Sequence, residues 1–279
     1  MHTLKIGPAT YQVPETWNEL PRKKLLRVLA TLYGKPQWPR RHQLLADLAG
    51  CSVYSVLNLT EVQLAVLLPL TDWIFDDTQR LTAQLLPTVR LLVKSAGRRR
   101  LPVYATFHGP AARLTNLSFG EFIFADTYFV LYALGQDAGA LDKLVATLYR
   151  PRRTGAGSNP DRADWCGDYR EAFNEHLVER RAQQLCHLPD VEKLAIYTWY
   201  RGCRAQLEQD YPDVFGEAQD DTPAGGPPDW GRTLRKLSGE AFGTLQETAA
   251  EHARTVLAEM NDQVAEYQRQ KAQAKQTTP

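Results

Sequence analysis

The chain has 279 residues, of which 43% are apolar and 23% charged, with 33 basic against 32 acidic residues and a net charge of +1. This supports a packed core and excludes a wholly disordered protein, while the charge balance gives no global pull toward DNA, anionic membrane or acidic substrate. Four cysteines, Cys51, Cys166, Cys186 and Cys203, are too few and too scattered for a disulfide-stapled secreted scaffold, and reduced thiols in a cytoplasm are the economical reading.

The first eight residues carry no apolar run of the kind a signal peptide needs. Leu4-Lys5-Ile6 and Tyr11-Gln12-Val13 alternate apolar and polar around Gly7-Pro8, which predicts a short hairpin. Pro14 ends its second strand. A helix follows with Pro21 in its first turn, an apolar face of Leu25, Leu26, Val28, Leu29 and Leu32, and a stop at Gly34 and Pro36. Leu44, Leu45 and Leu48 before Gly50 predict a second helix. Thr60-x-x-Gln63 has the form of a capping box opening a third, continued by Leu64, Leu67 and Leu68. The greasy stretch from Val62 to Phe75 is interrupted by polar residues and proline, and is shorter than the roughly 20 residues a membrane span needs.

Asp76-Asp77-Thr78 reads as the start of a further helical stretch through Leu92. Arg98-Arg99-Arg100 is a basic loop, and Pro102–Phe107 alternates as a strand or extended segment. Ser118 and Glu121 have capping-box spacing ahead of an apolar run, Phe122 to Leu134, which implies a helix buried on most faces. Gly135 and Gly139 bracket a turn. Leu141, Leu144, Val145 and Leu148 predict the next helix, ended before Pro151. Residues 152–163 are loop by composition, and helices are expected again over Tyr169–Leu185 and Val191–Glu208.

Residues 216–229 are rich in Gly, Pro and Asp and read as a linker. Beyond it, Phe242, Leu245, Ala249, Ala253, Val256, Met260, Val264 and Tyr267 step by three or four, a seam about seven turns long with polar residues on the other face. Such a helix must dock, either back onto its own core or onto a partner chain. Phe242, Leu245, Val256, Met260 and Val264 are the candidate partner-binding residues.

Chemical signatures are absent at the level of motif. No C-x-x-C, phosphate-binding loop or G-x-S-x-G elbow occurs. Cys186-His187 lacks ligand spacing. His176-Leu-Val-Glu179 is followed by Arg180 rather than His, so it reads as a surface helix pair. Asp76-Asp77 and Asp220-Asp221 suit capping and solvation. The reading is therefore no catalytic residue, no metal and no cofactor. Basic clusters remain: Arg40-Arg41, Arg98-Arg99-Arg100 and Arg150-Pro-Arg152-Arg153. Arg98, Arg99, Arg100, Arg152 and Arg153 are candidates for polyanion contact if folding gathers them, although near-zero net charge weighs against a dedicated DNA binder. Trp17 is expected to pack over the first helix, and Arg150 to cap a helix C-terminus.

Three segments, with the chain's ending, carry a resemblance. They are Tyr11-Gln-Val-Pro14-Glu-Thr-Trp17-Asn-Glu19-Leu20; Phe107-His-Gly109-Pro110 with Asn116-Leu-Ser-Phe119-Gly120-Glu121-Phe122; and Leu141-x-x-Leu144-Val-Ala-Thr-Leu148-Tyr149-Arg150-Pro151. Trp230-Gly231-Arg232 through Leu237, before a long helix, is the ending. Their order resembles a family of Bacteroidetes phage and prophage proteins encoded among tail and virion assembly genes, described as uncharacterised or tail assembly chaperone-like. The resemblance implies a non-enzymatic protein in the cytoplasm of a bacterial host, or associated with the virion. Its partner would be a tail or other virion protein, held through apolar helix faces. The resemblance brings no catalytic residues. Self-association is a further expected option, and nucleic acid the disfavoured one.

The expected fold is mainly α. A multi-helix body over 1–215 carries a short N-terminal β-hairpin, 216–229 is a Pro/Gly-rich linker, and 230–279 holds a long C-terminal amphipathic helix and a disordered end.

Overall fold

The computed structural model of the chain describes residues 1–6, 9–94, 102–154, 161, 167–215, 230–238 and 242–277. The fold is mainly helical, with an N-terminal two-stranded hairpin and a long C-terminal helix. It divides into two compact units: Met1–Leu86 with Pro189–Cys203, and Pro87–Leu188 with Arg204–Pro279. The expected linker at 216–229 lies outside the described residues, and the chain from Trp230 onward belongs to the second unit.

The first unit opens with strands β1 (His2–Ile6) and β2 (Ala9–Val13), antiparallel with Leu4 opposite Tyr11. The expected Gly7-Pro8 turn lies outside the described residues. Helix α1 (Arg22–Tyr33) begins directly after Pro21, whose missing N–H costs nothing there, and buries Leu25, Val28 and Leu29. Helix α2 (Arg40–Ala49) packs against it with Leu44, Leu45 and Leu48. Gly50 ends α2 in the left-handed region, at φ +79°, which glycine adopts without penalty. Trp17 is buried and meets Trp73 edge to face, with centroids 5.3 Å apart. Helices α3 (Val53–Leu57) and α4 (Glu61–Leu67) follow, and α4 has the capping box foreseen at Thr60 and Gln63. A 3-10 stretch, Leu68–Phe75, continues from it.

The helical stretch expected from Asp76 to Leu92 is not there. Asp76 instead accepts from the Thr78 amide and hydroxyl in a tight turn. An irregular segment is then pinned by Asn18, whose side-chain oxygen accepts from the Thr82 and Ala83 amides. From Thr88 the chain becomes strand. Val89 and Leu91 point to a buried face at period two, a pattern that the Leu91-Leu92 pair masks in the sequence.

The second unit holds strands β3 (Thr88–Lys94) and β4 (Pro102–His108), antiparallel over their whole length. Helices α5 (Phe119–Gly135) and α6 (Ala138–Leu148) pack together, and α7 (Val178–Leu185) packs on α6. The helix expected from Tyr169 starts only at Val178, after a 3-10 turn at Glu175–Leu177; residues 167–174 are irregular because Arg170 is drawn into the core. Helix α8 (Asp190–Asp210) gives its residues to Cys203 to the first unit and those from Arg204 to the second. Helices α9 (Pro212–Phe215), α10 (Trp230–Leu237), α11 (Leu245–Ala250) and α12 (Ala253–Thr277) complete the fold.

The seam read as one helix over 242–267 is thus two. The break comes where Glu251 turns extended (ψ 156°) and the chain pairs with the entry to α5: the Phe119 amide donates to Glu251 O and the Ala253 amide to Leu117 O. Two backbone hydrogen bonds to another element replace those that a continuous helix would make at these positions. Among the described residues no helix is long and apolar enough to cross a membrane.

Candidate functional site

Helix α5 organises the second unit. Ser118 caps it, accepting from the Glu121 amide, but the Glu121 carboxylate does not reach back to complete the expected capping box. It is buried and pairs with two buried arginines instead. Arg170 donates through Nη1 and Nη2 to both Glu121 oxygens, at 2.5 and 3.1 Å, and Arg150 Nη2 lies 3.0 Å from Glu121 Oε2. Asp168 takes the other side of Arg170, accepting from Nε at 3.0 Å and from Nη2 at 2.7 Å. Arg170 Nη1 also donates to Leu148 O. Two acids and two guanidiniums form a formally neutral interior cluster, which is how a core tolerates charge.

The two arginines are not equally served. Burial pulls the Arg170 pKa down, but Glu121 and Asp168 more than offset it, and the net direction is up. For Arg150 burial prevails over Glu121, Arg170 adds repulsion, and the net direction is down. Geometry agrees: among the described residues Arg150 Nε and Nη1 have no hydrogen-bond partner, and the Phe173 ring lies 5.8 Å from its guanidinium carbon. Arg150 is therefore neither a helix C-cap nor part of a surface basic cluster. Of its neighbours, Arg152 is exposed over the Tyr169 ring, Arg153 is half-buried, and Arg98, Arg99 and Arg100 lie outside the described residues.

This cluster joins the segments around Gly109, Glu121 and Tyr149-Arg150. His108 and Arg150 exchange backbone hydrogen bonds, bringing the 107–110 segment to the 141–151 segment. Gly109 sits against the buried Tyr149 ring so closely that a Cβ would lie 2.6 Å from Cζ.

One turn and a half along α5, Asp126 forms a second buried polar node. It pairs with Arg204 of α8 and accepts from Trp230 Nε1 at 2.8 Å. Arg204 also pairs with Glu208 and lies over the Phe129 and Phe215 rings. Trp230 meets Phe122, Phe119 and Phe215 edge to face. Buried aromatic contact plus a satisfied indole N–H anchors the start of α10.

The C-terminal seam docks on its own unit at its beginning. Ala253, Val256 and Leu257 are buried, and α12 touches α5 and α9. Arg254 donates to Asp210 Oδ2 at 2.9 Å and to Arg113 O at 3.0 Å, while the Asp213 amide donates to Asn261 Oδ1. Of the candidate residues, Val256 is therefore core, Phe242, Met260 and Val264 are half-buried, and Leu245 is exposed. Tyr267 is 55% exposed, and the helix runs on to Thr277.

Cysteine and histidine positions offer little chemistry. Cys203 is buried, but Cys186 is exposed and Cys51 half-buried, so only the first behaves as a small core residue; Cys166 lies outside the described residues. Glu179 pairs with Lys143 at 3.0 Å, not with His176. Among the described residues no group of three His, Cys, Asp or Glu is placed to hold a metal ion.

Comparison with protein-family models, with characterised proteins and with solved structures finds no match to this chain.

Proposed function

We propose that the protein is a non-enzymatic, phage-derived assembly factor that holds a partner protein through apolar helix faces, most concretely a tail assembly chaperone-like factor acting in the host cytoplasm or carried on the virion. One observation carries this reading. The apolar seam of α12 continues through Met260, Val264 and Tyr267 after its last fully buried residue, Leu257, on a helix 25 residues and about 37 Å long. An amphipathic helix whose seam is only partly covered is the kind of element used in helix-in-groove recognition. A second uncovered face supports it: no residue of α4 is buried, and Val62 and Val66, one turn apart, are 76% and 68% exposed. The tail and virion context rests on the resemblance of the segments around Trp17, Gly109, Glu121 and Tyr149-Arg150-Pro151.

The test is affinity capture from phage-producing cells with the intact chain and with a Val264→Glu/Tyr267→Glu variant. The expected result is an identified tail or virion component recovered by the first and lost from the second, with both proteins folded. Recovery of no virion component, or equal recovery by both, contradicts the reading.

A further inference from the structure

Only Glu251 and His252 part α11 from α12. No glycine or proline occurs from Thr244 to Thr278, and Ala249, Ala250, Glu251 and Ala253 around the break are good helix formers. The apolar phase also passes through it: Leu245, Ala249, Ala253, Val256 and Met260 step by three or four, the spacing of one continuous helix. A permanent break needs no such register, because each helix could then set its apolar face independently.

What holds the break is tertiary. Ser118 and His252 face each other in an isolated antiparallel bridge, where the Phe119 amide donates to Glu251 O at 2.8 Å and the Ala253 amide to Leu117 O at 2.9 Å. In a continuous helix the Ala253 amide would donate to Ala249 O and the Arg254 amide to Ala250 O, while the Phe119 amide would rejoin the unpaired donors of a helix start. Straightening therefore exchanges backbone hydrogen bonds. Helix α11 is held on α5 by close approach: a Cβ on Gly120 would lie 3.1 Å from Ala249 O. Helix α12 docks within the second unit through a separate set of contacts. Val256 and Leu257 are buried, α12 touches α5 and α9, Arg254 donates to Asp210, and the Asp213 amide donates to Asn261.

We infer that the chain forms an exchanged dimer with a second copy of itself. Glu251 and His252 turn helical, α11 and α12 become one helix, and each α12 docks on the second unit of the other copy. The occupant follows from the structure, because the surface that receives α12 is seen with α12 on it, and an identical chain carries the same helix. Exchange reproduces the contacts of the monomer, so the two forms differ in the hinge and in whatever new contact the copies make. A short hinge with no local breaker is the sequence condition for it. The seam beyond Leu257 is not used, so the inference goes beyond the partner-binding reading and stands without it.

Size-exclusion chromatography with light scattering, on the full chain incubated over a concentration series, tests it. The expected result is a dimer fraction that grows with concentration and persists on dilution, since exchange requires α12 to undock. His252→Pro should lower that fraction by about tenfold or more, because proline cannot continue a helix, whereas Glu251 before it is already extended (ψ 156°), as a residue before proline prefers. Thermal melts check that this variant folds. Glu251→Ala/His252→Ala, at two exposed side chains, should raise the dimer fraction. Val264→Glu/Tyr267→Glu should leave it unchanged, which separates exchange from the pairing of two α12 seams. Three outcomes overturn the inference: only monomer from both the chain and the double-alanine variant, a dimer that His252→Pro leaves intact, or a dimer abolished by Val264→Glu/Tyr267→Glu.

Discussion

Glu121 is the residue on which the second unit's interior depends. Removing one partner of a buried ion pair leaves charge uncompensated at a cost of about 3–5 kcal/mol, and here the Glu121 carboxylate serves two arginines. Glu121→Ala should therefore lower unfolding free energy by about that amount in urea titration; a loss under about 1 kcal/mol would show that the cluster relaxes easily. The two arginines should differ. Arg150 has two nitrogens without a hydrogen-bond partner among the described residues, and its loss leaves Glu121 and Asp168 still paired with Arg170. Arg150→Met should cost less than Arg170→Met, measured in the same titration, and the reverse order would contradict the asymmetry. None of this could be read along the chain. Glu121 has the spacing of a capping residue, Arg150 sits at a helix end, Arg170 belongs to no motif, and Glu121 and Arg170 are 49 positions apart. Local pattern explains an N-cap well, and only tertiary packing decides whether its carboxylate turns inward.

At the scale of elements, the helices legible in advance were those with an apolar stripe and clear punctuation: α1 between Pro21 and Gly34, α2 before Gly50, α6 before Pro151. The failures lie where another element competes for the backbone. Strand β3 was hidden by an apolar pair that blurs period two, and the break between α11 and α12 is made by hydrogen bonds to Leu117 and Phe119 rather than by any local breaker. Two measurements bear on these contacts. Gly109→Ala would drive a Cβ into the Tyr149 ring and should destabilise by about 1–3 kcal/mol through overpacking, read from the shift in urea midpoint. No shift would mean that the ring moves freely aside. The clasp between α8 and α12 should depend on pH. Burial raises the Asp210 pKa, but hydrogen bonds from Gln206 and Arg254 and the nearby arginine charges outweigh it, and the net direction is down. A carboxylate whose pKa is lowered by folding contributes stability above its unfolded value and loses it as pH falls through the folded one. The stability advantage over Asp210→Asn should thus be constant near neutrality and shrink below the ordinary aspartate range. Because Asp210 and Arg254 are partly exposed, the advantage is a fraction of a kcal/mol. An advantage that grew on acidification would reverse the sign of the argument.

For the whole molecule, near-neutral charge goes with apolar exposure that is local: an α4 with no buried residue and a seam that continues past Leu257, its last fully buried residue. The first turns of α12 are committed to the second unit through Val256, Leu257 and Arg254, with Asn261 still bonded to Asp213, and the seam beyond Leu257 is only partly covered. The amphipathic pattern was legible in the sequence over its full length. Where docking stops was not, because Val256 and Val264 occupy the same stripe and differ only in what lies opposite them. A photo-crosslinking residue placed at Val264, and in a separate chain at exposed Gln263, tests the central claim most directly in phage-producing cells. The expected result is a crosslink from position 264, and not from 263, to an identified tail or virion protein. Crosslinks confined to the chain itself, or equal from both positions, would contradict a partner-binding seam.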